Sequence, residues 1–72
     1  MKKIKKIKIK LNGKNKSIDQ GSSLNELVIN LNIPIKKVAI EFNGKIINKK
    51  DIKKIKLKSN DVIEIVHFIG GG

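Results

Sequence analysis

The sequence predicts an α+β domain in which one helix packs across one face of a β-sheet. Three observations carry that prediction. Apolar and polar residues alternate strictly in residues 7–11 and again in Val38–Phe42. Each of those runs ends in an Asn-Gly pair, Asn12-Gly13 and Asn43-Gly44, the strongest short hairpin signal. A single Ser-x-x-Glu box, Ser23 to Glu26, opens a single stretch with helical apolar spacing.

The elements follow in order. Period two places Ile7, Ile9 and Leu11 on one face of a half-buried strand and Lys8 and Lys10 on the other. After the turn, residues 14–18 form a short polar strand of the kind found at sheet edges. Asp19-Gln20-Gly21-Ser22 breaks it. Ser23 then caps a helix whose Leu24, Leu27, Val28 and Leu31 make one apolar stripe. Asn32 can end that helix in the left-handed conformation, and Pro34 prevents its continuation. At two turns, the helix depends on packing rather than propensity. Val38, Ile40 and Phe42 share one face of the third strand. A fourth strand is expected over residues 45–48. Residues 49–55 have an irregular apolar pattern and read as a loop with one helical turn. Asn60-Asp61 marks another turn, and residues 62–68 make the last strand. The order is β-β-α-β-β-β, with no repeat and no linker. The expected domain covers residues 1–68, with residues 1–6 fraying, and a flexible glycine tail covers residues 69–72.

Within the last strand, Ile63 and Ile65 share one face, and Val66 and Phe68 lie on the other with Glu64. If the isoleucine face meets the helix, Val66 and Phe68 are left exposed beside the tail as a docking patch. The other arrangement open to such a run is a strand covered on both sides by a loop.

Composition narrows the function. The chain has 72 residues, 17 lysines and no arginine, with a formal charge of +11. Without cysteine it has no disulfide framework, thiolate zinc site or thiol nucleophile. No apolar run approaches a membrane span, and no apolar stretch follows the basic N-terminus as in a signal peptide, so a cytoplasmic protein without a membrane partner is expected. A basic surface suits nucleic acid or an acidic partner. However, Lys, Ile and Asn make up 40 of the 72 residues, a coding bias that spreads lysine over any tolerant surface. Lysine alone gives weak, salt-sensitive, sequence-neutral binding, and neither arginine forks nor an aromatic stacking platform is present, so no nucleic-acid partner is expected. His67 has no second histidine or cysteine to share a metal and no evident nucleophile to activate, and it reads as an ordinary strand residue.

The chain reads Ile69-Gly70-Gly71-Gly72 at its end. Glycine is costly to order and packs nothing, so three in a row do not serve the fold. A tail without side chains is thin enough to thread a narrow channel and bring the α-carboxylate of Gly72 to a reactive centre. A carboxylate is a poor electrophile. Attack on the α-phosphate of ATP converts it to an acyl-adenylate, and a sulfur nucleophile can then displace AMP to leave a thiocarboxylate. Nothing in this sequence catalyses those steps, and the glycines are not a phosphate-binding loop, since neither Lys-Ser/Thr nor a helix follows them. The catalyst must be a partner.

The segments Ile9-Lys10-Leu11-Asn12-Gly13, Leu24-Asn25-Glu26-Leu27, Val38-Ala39-Ile40-Glu41-Phe42-Asn43-Gly44-Lys45-Ile46-Ile47 and Asp61-Val62-Ile63-Glu64-Ile65-Val66-His67-Phe68-Ile69-Gly70-Gly71-Gly72, in that order, resemble the ubiquitin-like β-grasp sulfur carriers. The likeness is greatest to the ThiS family of thiamin biosynthesis. The resemblance implies a mixed sheet with one main helix across one face. It implies a substrate protein rather than an enzyme, with no bound cofactor. Gly72 would be adenylated and thiocarboxylated by an E1-like, ThiF-type adenylyltransferase that consumes ATP. Gly70 and Gly71 would thread into the partner, and Val66, Phe68 and Ile69 would help dock the body. The sulfur would come indirectly from a cysteine desulfurase and pass to the ThiG-type thiazole synthase. Members often carry Pro-Arg where Asn48-Lys49 stand, an aromatic near Ile52, and Gly-Asp where Asn60-Asp61 stand. These are expected to be loop and surface changes that the fold tolerates, although lysine at position 49 cannot reproduce an arginine fork. Three other readings compete. The MoaD-like small subunit of molybdopterin synthase shares the fold and the thiocarboxylate, but its length and ending fit less well. A basic nucleic-acid-binding module rests on charge alone, and a ubiquitin-like protein tag would use the same activated Gly72.

Overall fold

The computed structural model describes residues 5–68. Five strands are formed: β1 (Lys6–Leu11), β2 (Lys14–Asp19), β3 (Val38–Phe42), β4 (Lys45–Ile46) and β5 (Val62–His67). A helix, α1 (Leu24–Asn30), and two 3₁₀ segments, Ile35–Lys37 and Lys49–Lys54, complete the elements. The sheet order is β2-β1-β5-β3-β4. β1 and β5 run parallel, and every other neighbouring pair is antiparallel. The last strand therefore lies at the centre of a mixed sheet. No helix among the described residues is long and apolar enough to cross a membrane.

Local chemistry accounts for the elements. Both Asn-Gly pairs adopt positive φ at both positions: 50° and 81° at Asn12-Gly13, 50° and 87° at Asn43-Gly44. This is the turn whose twist matches that of antiparallel strands. At the start of α1 the capping box closes. The Ser23 hydroxyl accepts from the Glu26 amide at 3.0 Å, and the Glu26 carboxylate accepts from the Ser23 amide at 2.8 Å. At its end Asn32 turns left-handed with φ 55°. The Asn32 amide donates to the Ile29 carbonyl and the Ile33 amide to the Val28 carbonyl, the paired bonds of a Schellman motif. Leu24, Leu27 and Val28 face the sheet and are buried against Ile9, Ile40 and Ile63 in one aliphatic core. Lys8 and Lys10 point away into solvent.

Three expectations need correction. β4 stops at Ile46 instead of reaching residue 48. The Asn48 side chain accepts from the Lys50 amide at 3.0 Å, capping the next segment and drawing the chain out of the sheet. β5 ends at His67 rather than at residue 68, though the Phe68 amide still donates to the Lys37 carbonyl. The helical turn expected within a loop over residues 49–55 is longer than one turn, a six-residue 3₁₀ helix that takes up most of the segment. Its side chains repeat every three residues, so Ile52 and Ile55 both turn inward, and Ile52 is only 4% exposed. Position 52 is thus a core position, and an aromatic there would need space that the isoleucine now fills. The chain beyond it pairs back onto the helix start. The Leu24 amide donates to the Ile55 carbonyl and the Leu57 amide to the Ser22 carbonyl, which buries Leu57 as well.

Candidate functional site

The sequence places the expected working end at residues 69–72, so the site described here is the strand before them. β5 is that strand, and the fold holds it from both sides. Its inward residues Ile63 and Ile65 are 0% and 6% exposed. Two hairpin asparagines add a second grip. The Asn12 side-chain oxygen accepts from the Ile65 amide, and that of Asn43 accepts from the Val62 amide, each at 2.8 Å. Asn43 also donates to Asp61, whose other oxygen accepts from the Lys58 amide. Each asparagine thus tolerates the left-handed turn conformation and pins the central strand with its side chain. Asn12→Gly keeps the turn and removes only the pin, leaving a partly buried amide without its partner. It is expected to cost about 1–3 kcal/mol in urea unfolding. Retention of wild-type stability would show the pin to be idle.

The outward face of β5 is open. Val66 is 60% exposed and Phe68 53%, which decides between the two arrangements the sequence leaves open: no loop among the described residues covers them. The Phe68 backbone is tied to Lys37 at 2.8 Å, and the Lys49 ammonium stands 5.1 Å from the Phe68 ring centroid. A lysine makes that cation–π contact without an arginine's fork, so Lys49 braces the Phe68 ring. The sequence reading placed Glu64 on this face but missed two of its neighbours, Ile46 and Glu41. Ile46 is 76% exposed. Glu41 and Glu64 are direct cross-strand partners between Ile46 and the far side of β5. Register, which brings them together, leaves no local mark in a sequence.

Ile69, Gly70, Gly71 and Gly72, expected to dock, thread and react, lie outside the described residues, as does most of the segment expected to fray at the N-terminus. His67 is solvent-exposed at the end of β5. Among the described residues, no three His, Asp or Glu side chains gather where a metal could be held.

A sequence model of the ThiS family matches residues 9–72. The chain belongs to the ThiS family. It is 38% identical over 65 residues to the sulfur carrier protein ThiS of Bacillus subtilis, covering 89% of this chain and 98% of that one. It is also 38% identical over 66 residues to a thiazole synthase of Magnetococcus marinus, but there 92% of this chain matches only 20% of the longer protein. Among solved structures, the thiamine biosynthesis protein ThiS of Geobacter metallireducens superposes with a TM-score of 0.80 at 26% identity, over 92% of this chain and all of that one. The β-grasp architecture implied by the sequence is therefore the observed one. A ThiS-family chain is a carrier, not a catalyst.

Proposed function

We propose that this chain carries sulfur for thiazole formation in thiamin biosynthesis on the α-carboxylate of Gly72. The observation that carries the proposal is a family match that runs through residue 72 and so takes in all three glycines. A ThiF-type, E1-like adenylyltransferase binds the body of the chain and draws Gly70 and Gly71 into its channel. The Gly72 carboxylate attacks the α-phosphate of ATP, releasing pyrophosphate and forming the acyl-adenylate. The terminal sulfur of a persulfide, supplied from a cysteine desulfurase, displaces AMP to form an acyl disulfide, and a thiol reductant then cleaves the S–S bond to leave the thiocarboxylate. The thiazole synthase then takes the sulfur. Support for that partner is the M. marinus protein, in which a region similar to this chain lies within a longer polypeptide named thiazole synthase. ATP is consumed by the activating enzyme, and this chain holds no cofactor. The reaction belongs in the cytoplasm with these enzymes.

Energetics assign the division of labour. Fixing each tail residue costs about 1–2 kcal/mol, so the tail cannot dock itself. Val66 and Phe68, with Ile69, supply the apolar contact that offsets this cost, each worth about 1.5–3 kcal/mol if fully buried by a partner.

The test is intact mass after incubation with the E1-like enzyme, ATP and a sulfur source. A gain equal to one oxygen-to-sulfur exchange is expected. No gain with an enzyme that thiocarboxylates a known carrier in the same assay overturns the proposal. Offering the product to thiazole synthase and, separately, to the large subunit of molybdopterin synthase then distinguishes the pathways, and turnover is expected with the former.

A further inference from the structure

The open face of the sheet is divided by charge. Lys8 and Lys10 project from β1, opposite the uncharged Ser17 and Asn15 of β2. On the next two strands of the sheet, the charge reverses: Glu64 of β5 and Glu41 of β3 stand directly opposite each other. Like charges placed across a strand pair destabilise a sheet. The ion pairs among the described residues are Lys6 with Asp19 and Lys54 with Asp51, so neither glutamate has a described cation within ion-pairing distance. The two carboxylates also lie among apolar groups. With Ala39, Ile46 and Val66 they line one shallow hollow, and Ile46 and Val66 are among the most exposed large apolar residues of the molecule. The fold gains nothing from this arrangement, but an apolar surface carrying one cation would complement it.

Resting on the sulfur-carrier reading, we infer that this hollow receives an arginine side chain of a partner enzyme, its guanidinium between Glu41 and Glu64 and its aliphatic stem against Ile46 and Val66. Arginine fits because its planar fork offers five donors and can serve two carboxylates at once, whereas lysine presents a single point charge. The hollow is continuous with the Val66 and Phe68 platform, so the same contact that binds the arginine lays the partner over the root of the tail. Lys8 and Lys10 complete the orientation by demanding acidic groups on the β1 side of the footprint. Rotating the partner by half a turn would put its arginine on these lysines and its acidic groups on the glutamates. Charge therefore selects one docking orientation, the one that points the tail in a single direction.

The test measures the affinity of the whole chain for the E1-like enzyme and for thiazole synthase by calorimetry, for the wild type, Glu41→Gln, Glu64→Gln, Glu64→Lys and the remote control Asp51→Asn. Thermal unfolding of each is recorded in parallel. Each glutamine variant is expected to unfold no earlier than the wild type, because a repulsion has been removed. Each should nevertheless bind at least one of the enzymes about tenfold more weakly. Glu64→Lys should weaken binding further, and Asp51→Asn should leave it unchanged. If the wild type binds and Glu64→Lys binds both enzymes equally well, the arginine site is refuted and the carrier reading stands. If the wild type binds neither enzyme and forms no thiocarboxylate, both fall together.

Discussion

Deleting Gly72 is expected to reduce thiocarboxylate formation to background while leaving the unfolding midpoint unchanged. The reason is geometric. One residue of extended chain spans about 3.3–3.6 Å, and reacting atoms must come within about 3–3.5 Å of each other to react. Shortening the tail by one residue therefore withdraws the carboxylate by about the whole reaction distance, while the body remains docked on Val66 and Phe68. A misplacement of about 1 Å already costs on the order of a hundredfold in rate. The body has no reason to respond, because the described core lies between Ile9 and Ile65. Intact mass with the activating enzyme and ATP reads the chemistry, and circular dichroism during heating reads the fold. A truncated chain that still gains sulfur at the wild-type rate would remove Gly72 from the mechanism.

The same contrast between local and distant determinants explains what could be read in the sequence. Asn12-Gly13, the Ser23–Glu26 box and the Asn32 terminator act within a few residues, and each appears where the sequence places it. The alternation at Ile63 and Ile65 fixes which side of β5 meets the core, because the period of a strand admits only two faces. Register is another matter. The Asn12 side chain meets the Ile65 amide across 53 positions of chain, and nothing near Asn12 announces it. Glu41 and Glu64 each look like solvent-facing strand residues until β3 and β5 are paired. Ile52 was misread because a threefold repeat over six residues matches neither the helix nor the strand period. The lysine excess is clearest on β1, as expected. What composition could not show is that two of the six acids face each other, so that a chain of formal charge +11 offers an anionic spot on its apolar face.

The strongest effect on the body is expected at Ile63. This side chain is 0% exposed, and its strand neighbours are Leu11 on one side and Phe42 on the other. Its carbonyl accepts from the Asn12 amide at 2.9 Å, so the backbone around it is held and cannot readily collapse into a cavity. Truncation to alanine at such a site costs about 2–5 kcal/mol, with the poorly collapsing sites at the upper end. A domain of this size has little to spare, since native stability runs at about 0.05–0.15 kcal/mol per residue. Each kilocalorie lowers the midpoint of so small a domain by about 4–8 °C, so Ile63→Ala should melt at least about 10 °C earlier. Val62→Ala, one residue away on the open face, should change stability by no more than about 0.5 kcal/mol. Urea unfolding of the two variants measures the difference, and equal losses would contradict the assignment of faces. Below its own midpoint, Ile63→Ala should still accept sulfur on Gly72, because the residue is buried in the core and not on the face proposed to dock. Activity lost well below that midpoint would mean that the core of β5 transmits something to the docking face beyond stability.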